Sequence, residues 1–123
     1  MMDLKPLPDV LVPLTLALQA GEVVVALDCA LLLGDKGPFG VKGLIHHSFS
    51  GLDAGFLARV QPGMLVLPLF AAGYDAVVAV ETLEALRYQG RIAVLAPDLP
   101  KPRLVERELQ ALGPGARLML ITP

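Results

Sequence analysis

The sequence contains no tryptophan, one cysteine and only 5% aromatic residues, and each scarcity excludes something. A single thiol closes no internal disulfide and cannot build a thiolate zinc site. Set within Val23-Val24-Val25-Ala26-Leu27-Asp28-Cys29-Ala30, Cys29 reads as a small buried apolar residue rather than a nucleophile. Few rings leave few platforms on which nucleobases could stack. Charge is also sparse, with Lys+Arg 10 against Asp+Glu 12, a net charge of −2 and no run of either sign. Displacing counterions from a phosphate backbone needs a basic stripe, so no nucleic-acid partner is expected. Long apolar runs are missing too. The longest candidate, Met64 to Val80, is interrupted by Pro68, Gly73 and Asp75 and falls short of the roughly 20 apolar residues that cross a bilayer. No membrane partner is expected. The start Met1-Met2-Asp3-Leu4-Lys5-Pro6 lacks the basic opening and cleavage site of a signal peptide, so the expected address is cytoplasmic.

What the sequence does hold is apolar character in short blocks. Hydrophobic residues make up 54% and charged residues 18% of 123 residues, enough to bury one core and too apolar for disorder. A mean hydropathy of +0.63 suits a sheet covered on both faces, whose strands read as solid apolar runs.

Along the chain, Glu22 to Leu27 reads as a strand, with Leu33 as its furthest reach, and Lys42 to His46 as a short one. Between them, Gly34-Asp35-Lys36-Gly37-Pro38-Phe39-Gly40 is too rich in glycine and proline for a helix. Asp9 to Ala20 fits a helix or a strand. Ser50 is placed to cap a helix carrying Leu52, Phe56, Leu57 and Val60 on one face, ended by Pro62-Gly63. Met64 to Phe70 is a solid strand, Ala71-Ala72-Gly73 turns the chain, and Asp75 caps a helix with Ala76, Ala79, Val80, Leu83 and Leu86 inward. Glu81, Glu84 and Arg87 face outward on that helix, and Gly90 ends it. Arg91 to Ala96 is another strand and Pro97 to Pro102 an extended loop. A third helix has Leu104, Val105, Leu109 and Leu112 inward and Glu106, Arg107 and Glu108 outward. Gly113-Pro114-Gly115 terminates it before a last strand, Ala116 to Ile121. This alternation predicts one α/β domain over residues 1–123, with a mostly parallel five-stranded sheet between helical layers.

The stretch from Gly43 to Pro123 resembles the receiver domain of bacterial response regulators, a flavodoxin-like fold. Ser50 to Val60 matches its second helix, Met64 to Ala76 its third strand and following loop, Arg91 to Pro97 its fourth strand, and Leu118 to Pro123 its fifth. The resemblance implies a strand-end phospho-acceptor aspartate, acidic residues that help hold Mg²⁺, a Ser/Thr and a Lys, which together neutralise and position a phosphoryl group. Here the acceptor position is Pro68, the hydroxyl position Ala96 and the lysine position Thr122. Only Asp28 matches, followed by Cys29 rather than a second acid. Proline accepts no phosphoryl group, so the resemblance implies a non-catalytic pseudo-receiver, a signalling or regulatory interaction module with a protein partner or a homodimer. The family's first helix falls on the glycine-rich loop and its fifth falls after Pro123. Those helices are expected to be atypical or missing, and Asp9 to Ala20 is a candidate to cover the vacated face.

A second reading is a small-ligand or nucleotide-binding domain built on Asp28 and the Gly34 to Gly43 loop, because open α/β sheets bind ligands outside the carboxyl ends of their strands. The ligand-site candidates are Asp28, Gly37, Gly40, Pro68 and Ala96. No cofactor, catalytic residue or metal ligand is expected. The glycines match no phosphate-loop pattern. Adjacent His46 and His47 point to opposite faces of a strand. Ser48 or Ser50 with His47 and Asp53 lacks a nucleophile elbow. The P-x-x-P of Pro97 to Pro100 reads as a strand-to-helix loop.

Overall fold

The computed structural model describes residues 23–29, 44–71 and 73–122. The expectations for residues 9–20 and for the 34–43 loop, with Gly37 and Gly40, lie outside them. Five parallel strands form the sheet: β1 (Val24–Leu27), β2 (Leu44–His47), β3 (Met64–Pro68), β6 (Arg91–Leu95) and β7 (Arg117–Ile121). Their order is β2-β1-β3-β6-β7, the flavodoxin-like arrangement. A two-stranded antiparallel ribbon, β4 (Phe70–Ala71) and β5 (Tyr74–Asp75), stands between β3 and the next helix. The helices are α1 (Ala54–Val60), α2 (Ala76–Ala85) and α3 (Pro102–Leu112).

Every residue of β1 and β3 is buried, because both sheet faces are covered and neither pleat position meets water. The pleat divides the interior. Val25, Leu27, Leu65, Leu67, Ile92, Val94, Leu118 and Leu120 face one core, where Phe56 of α1, Ala79, Val80 and Leu83 of α2 and Leu109 of α3 meet them. Val24, Ala26, Met64, Val66, Ala93, Leu95 and Ile121 face the other with Cys29, and no described helix contributes to that core. His46 pairs with Ala26 and His47 with Leu27, so the two imidazoles take opposite faces as expected.

Several expected boundaries shift, each for a local reason. Phe49–Gly51 is a separate 3₁₀ turn capped by Ser48, and α1 starts four residues after Ser50. Its cap is Asp53, whose Oδ1 accepts the Phe56 amide at 2.7 Å. A carboxylate is the stronger acceptor there. Asp75 caps α2 as expected, taking the Val78 amide at 3.1 Å. That helix ends at Ala85, short of Gly90, and Arg87 adopts the left-handed conformation at φ 61. Gly90 serves close packing instead, since a Cβ there would lie 2.3 Å from the Tyr88 hydroxyl and 3.1 Å from the Gly63 carbonyl. Met64 to Phe70 is not one strand: β3 stops at Pro68, and Phe70 belongs to the ribbon, which turns through Gly73 at φ 87.

α3 holds Val105, Leu109 and Leu112 against the core as expected and departs from its expected facing at two positions. Leu104 is exposed, whereas Glu106 turns toward the sheet. The cause is the open edge of β7, whose outward amides have no neighbouring strand. Glu106 Oε2 accepts the Leu120 amide and Gln110 Oε1 the Leu118 amide, both at 2.8 Å. Residues four apart on a helix lie one above the other, so they can serve amides two apart on a strand. Gln110 also donates to the carbonyls of Gly113 and Ala116. We predict that Gln110→Ala lowers stability by about 1–3 kcal/mol, because it strands the buried Leu118 amide. Urea unfolding checks this, and an unshifted midpoint would show that water satisfies that amide.

Candidate functional site

The carboxyl ends of the strands gather the polar chemistry that the sheet interior excludes. Asp28 follows β1 directly in a left-handed conformation, φ 56. Asp and Asn tolerate that region better than other side chains with a Cβ. Its backbone amide donates to the His47 carbonyl at 3.0 Å, which continues the β1–β2 ladder by one rung. The chain bends there, and the side chain reaches over the sheet end. Asp28 Oδ2 accepts the Phe49 amide at 3.1 Å and the Tyr74 hydroxyl at 2.6 Å. One carboxylate oxygen thus joins the end of β1, the turn after β2 and the ribbon after β3.

Two stacked ring pairs frame this junction. Phe49 lies on Tyr74 with centroids 4.4 Å apart, and His47 lies on Phe56 of α1 at 4.1 Å. Ser48 and Ser50 hydroxyls are 2.7 Å apart, and Ser48 Oγ also caps the Ser50 amide. Asp28, Ser48, Phe49, Ser50 and Tyr74 border an open cleft of about 760 Å³, which Pro68, Phe70, Ala71, Gly73 and Val78 complete. That volume falls within the range of small-molecule sites. The cleft sits where β1 leads to β2 on one side and β3 to β6 on the other. This is the topological switch point, where flavodoxin-like sheets take their ligands.

Electrostatics at the cleft are one-sided. Among the described lining residues Asp28 is the only acid, and none is Lys, Arg or His. Asp28 Oδ1 accepts no hydrogen bond from a described residue, and the carboxylate has no described cationic partner. Tyr74 is held well above the usual phenol range, first by burial and then by its hydrogen bond to Asp28. It therefore stays a neutral donor to the carboxylate. Burial, reinforced by the Asp28 charge, pushes the Cys29 thiol from its ordinary 9.0 up to about 12. Its Sγ lies 3.3 Å from the Leu27 carbonyl, and its side chain is fully enclosed. This is an inert thiol.

The candidates read from sequence divide. Asp28 and Pro68 line the cleft, Pro68 as the last residue of β3. Ala96 follows β6 and is buried, its amide bonded to the Ile121 carbonyl at 2.9 Å, and it does not line the cleft. Thr122 follows β7. The positions compared with the receiver chemistry therefore all stand at strand ends, but only two border the open space. A Ser-His-Asp triad does not assemble: His47 is stacked on Phe56, Asp53 caps α1, and the serines bond each other. No three of His, Cys, Asp or Glu converge among the described residues. Sequence reading missed Phe49, Phe70 and Tyr74, which lie far along the chain from Asp28. An aromatic beside a predicted strand end was the only available signal. No described helix is long and apolar enough to cross a membrane.

The thiol's state gives a direct expectation. At pH 8 the folded chain resists iodoacetamide at Cys29, whereas the urea-unfolded chain is labelled promptly. Folded stability that comes from burying the neutral thiol is full below pH 9.0 and declines as pH rises toward about 12. Intact-mass measurement of the alkylated fraction checks this, and fast labelling of the folded chain would refute the enclosure of Cys29. Compared with family models, curated proteins and solved structures, the chain finds no match.

Proposed function

We propose that this domain is a non-catalytic regulatory module that binds a small organic ligand in the switch-point cleft. The observation that carries the reading is Asp28, a cleft-lining carboxylate fixed through Oδ2, whose Oδ1 accepts no hydrogen bond from a described residue. The reading is one of recognition, since no nucleophile-base pair meets among the described residues of the cleft. The proposed address is cytoplasmic.

A second reading keeps the fold and changes the occupant: a pseudo-receiver that docks a protein partner or a second copy of itself. Pro68 at the position of a phospho-acceptor supports it, as does Phe70, a large aromatic 71% exposed on the ribbon. Under either reading the chain is expected to take up no phosphoryl group from a small donor with Mg²⁺.

The test pairs native mass spectrometry with amide spectra recorded against a soluble fragment library. The ligand reading expects a monomer mass and fragment-induced shifts concentrated at Asp28, Phe49, Phe70 and Tyr74. A clean dimer mass with those amides unmoved by every fragment would replace it with the second reading. A covalent phosphoryl adduct would remove both.

A further inference from the structure

The cleft's chemistry narrows what it can take, given the reading that it is a ligand site. We propose that it selects a small organic cation, an amine or amidinium carried on a flat apolar body, and rejects phosphates and carboxylates. Three observations point the same way.

The first is charge. Asp28 brings the only formal charge to the lining among described residues, and no described Lys, Arg or His offsets it. Among the described residues an anion entering this space would meet a carboxylate and no cation, whereas a cation would pair with Asp28.

The second is the direction of the free hydrogen-bonding groups. The Tyr74 proton is committed to Asp28 Oδ2, and the Phe49 amide to the same oxygen. The Ser50 amide is committed to Ser48 Oγ, and one serine hydroxyl proton is spent on the other serine, which leaves a single hydroxyl proton over. Against it stand many lone pairs: those of Asp28 Oδ1, the Tyr74 oxygen and the serine oxygens. The side chains of the cleft offer mainly acceptors, which suits a ligand that brings donors. A phosphate or carboxylate, itself all acceptors, finds little to bind.

The third is the aromatic wall. Phe49, Phe70 and Tyr74 line one space, and Phe70 exposes 71% of its surface. Ring faces carry negative quadrupole density, which attracts cations and repels anions. Pro68, Ala71 and Val78 complete an apolar floor that suits a planar hydrocarbon body rather than a hydrated ion.

This choice separates the site from the phosphate-binding uses of similar sheets, which need exposed amides or basic side chains at the strand ends. Here the Phe49 amide, which begins the 3₁₀ turn, is already taken by Asp28. The protein's own carboxylate occupies the place where an anion's oxygen would bind.

Three probes with the same ring decide the matter: benzamidine, benzamide and benzoate, titrated into the full-length chain and followed through its amide spectrum. Benzamidine is expected to shift Asp28, Phe49 and Tyr74 most, benzamide weakly and benzoate not at all, with benzamidine affinity falling as salt is raised. Asp28→Asn, which keeps the left-handed turn and an acceptor for the Phe49 amide, is expected to weaken benzamidine roughly tenfold or more. It should leave benzamide nearly unchanged. Benzoate binding at the cleft as well as or better than benzamidine would overturn the cation assignment while leaving the ligand site standing. The cation assignment also falls if wild-type benzamidine binding ignores salt and survives Asp28→Asn. If none of the three probes moves the cleft amides, the ligand-site reading falls as well.

Discussion

The two strands at the middle of this parallel sheet, β1 and β3, are buried on both faces and leave no place for a polar side chain, and much else in this molecule follows from that. Val24 to Leu27 and Met64 to Pro68 are apolar without alternation, since a charge at any of those positions would be desolvated without a partner. Polar chemistry is pushed to where the strands stop. At the amino ends, backbone contacts tie the strands to their neighbours, such as the Gly63 amide to the Val23 carbonyl at 2.9 Å and the close packing of Gly90 on Tyr88. The carboxyl ends open into the cleft. A carboxylate placed one residue past β1 is the first group along that strand that water can reach.

Asp28 then does two things with one side chain. Its left-handed backbone ends the strand, and its Oδ2 holds the turn after β2 and the ribbon after β3 at fixed distances from the sheet. The aromatic stack of Phe49 on Tyr74 gives these contacts an apolar backing. Positioning falls to Oδ2 alone, and Oδ1 accepts no hydrogen bond from a described residue. The far edge of the sheet shows the complementary solution. There Glu106 and Gln110 spend their acceptors on the amides of β7, and the exposed strand edge is closed by a helix rather than by another strand.

The parts of this arrangement that were legible in the sequence are those in which cause and effect lie within a few residues. Asp75 caps α2 through an amide three positions on, and Ala76, Ala79, Val80 and Leu83 follow at helical spacing, so both cap and buried face could be read directly. Solid runs announced β3 and β6 for the same reason. Errors arose where two local signals competed or a distant one intervened. Ser50 was the expected cap, whereas the helix begins later and is capped by the carboxylate of Asp53. Glu106 looked like a solvent residue because charge normally is, and only the unpaired edge of β7 turned it inward.

By itself, then, the sequence determined the layered α/β architecture, the parallel sense of the sheet and the prominence of Asp28, because apolar periodicity and a lone acid after an apolar strand are local facts. The tertiary structure alone decided the site. Phe49 is 21 residues from Asp28 and Tyr74 is 46, and no pattern along a chain encodes which residues a strand order of β2-β1-β3 brings to one crevice. It also decided that Pro68 would border the cleft while Ala96 would not, since the ribbon diverges after β3 while the Ala96 amide is tied to the end of β7. Contacts between segments distant in sequence depend on strand order and register, and these are settled only when the whole core packs at once.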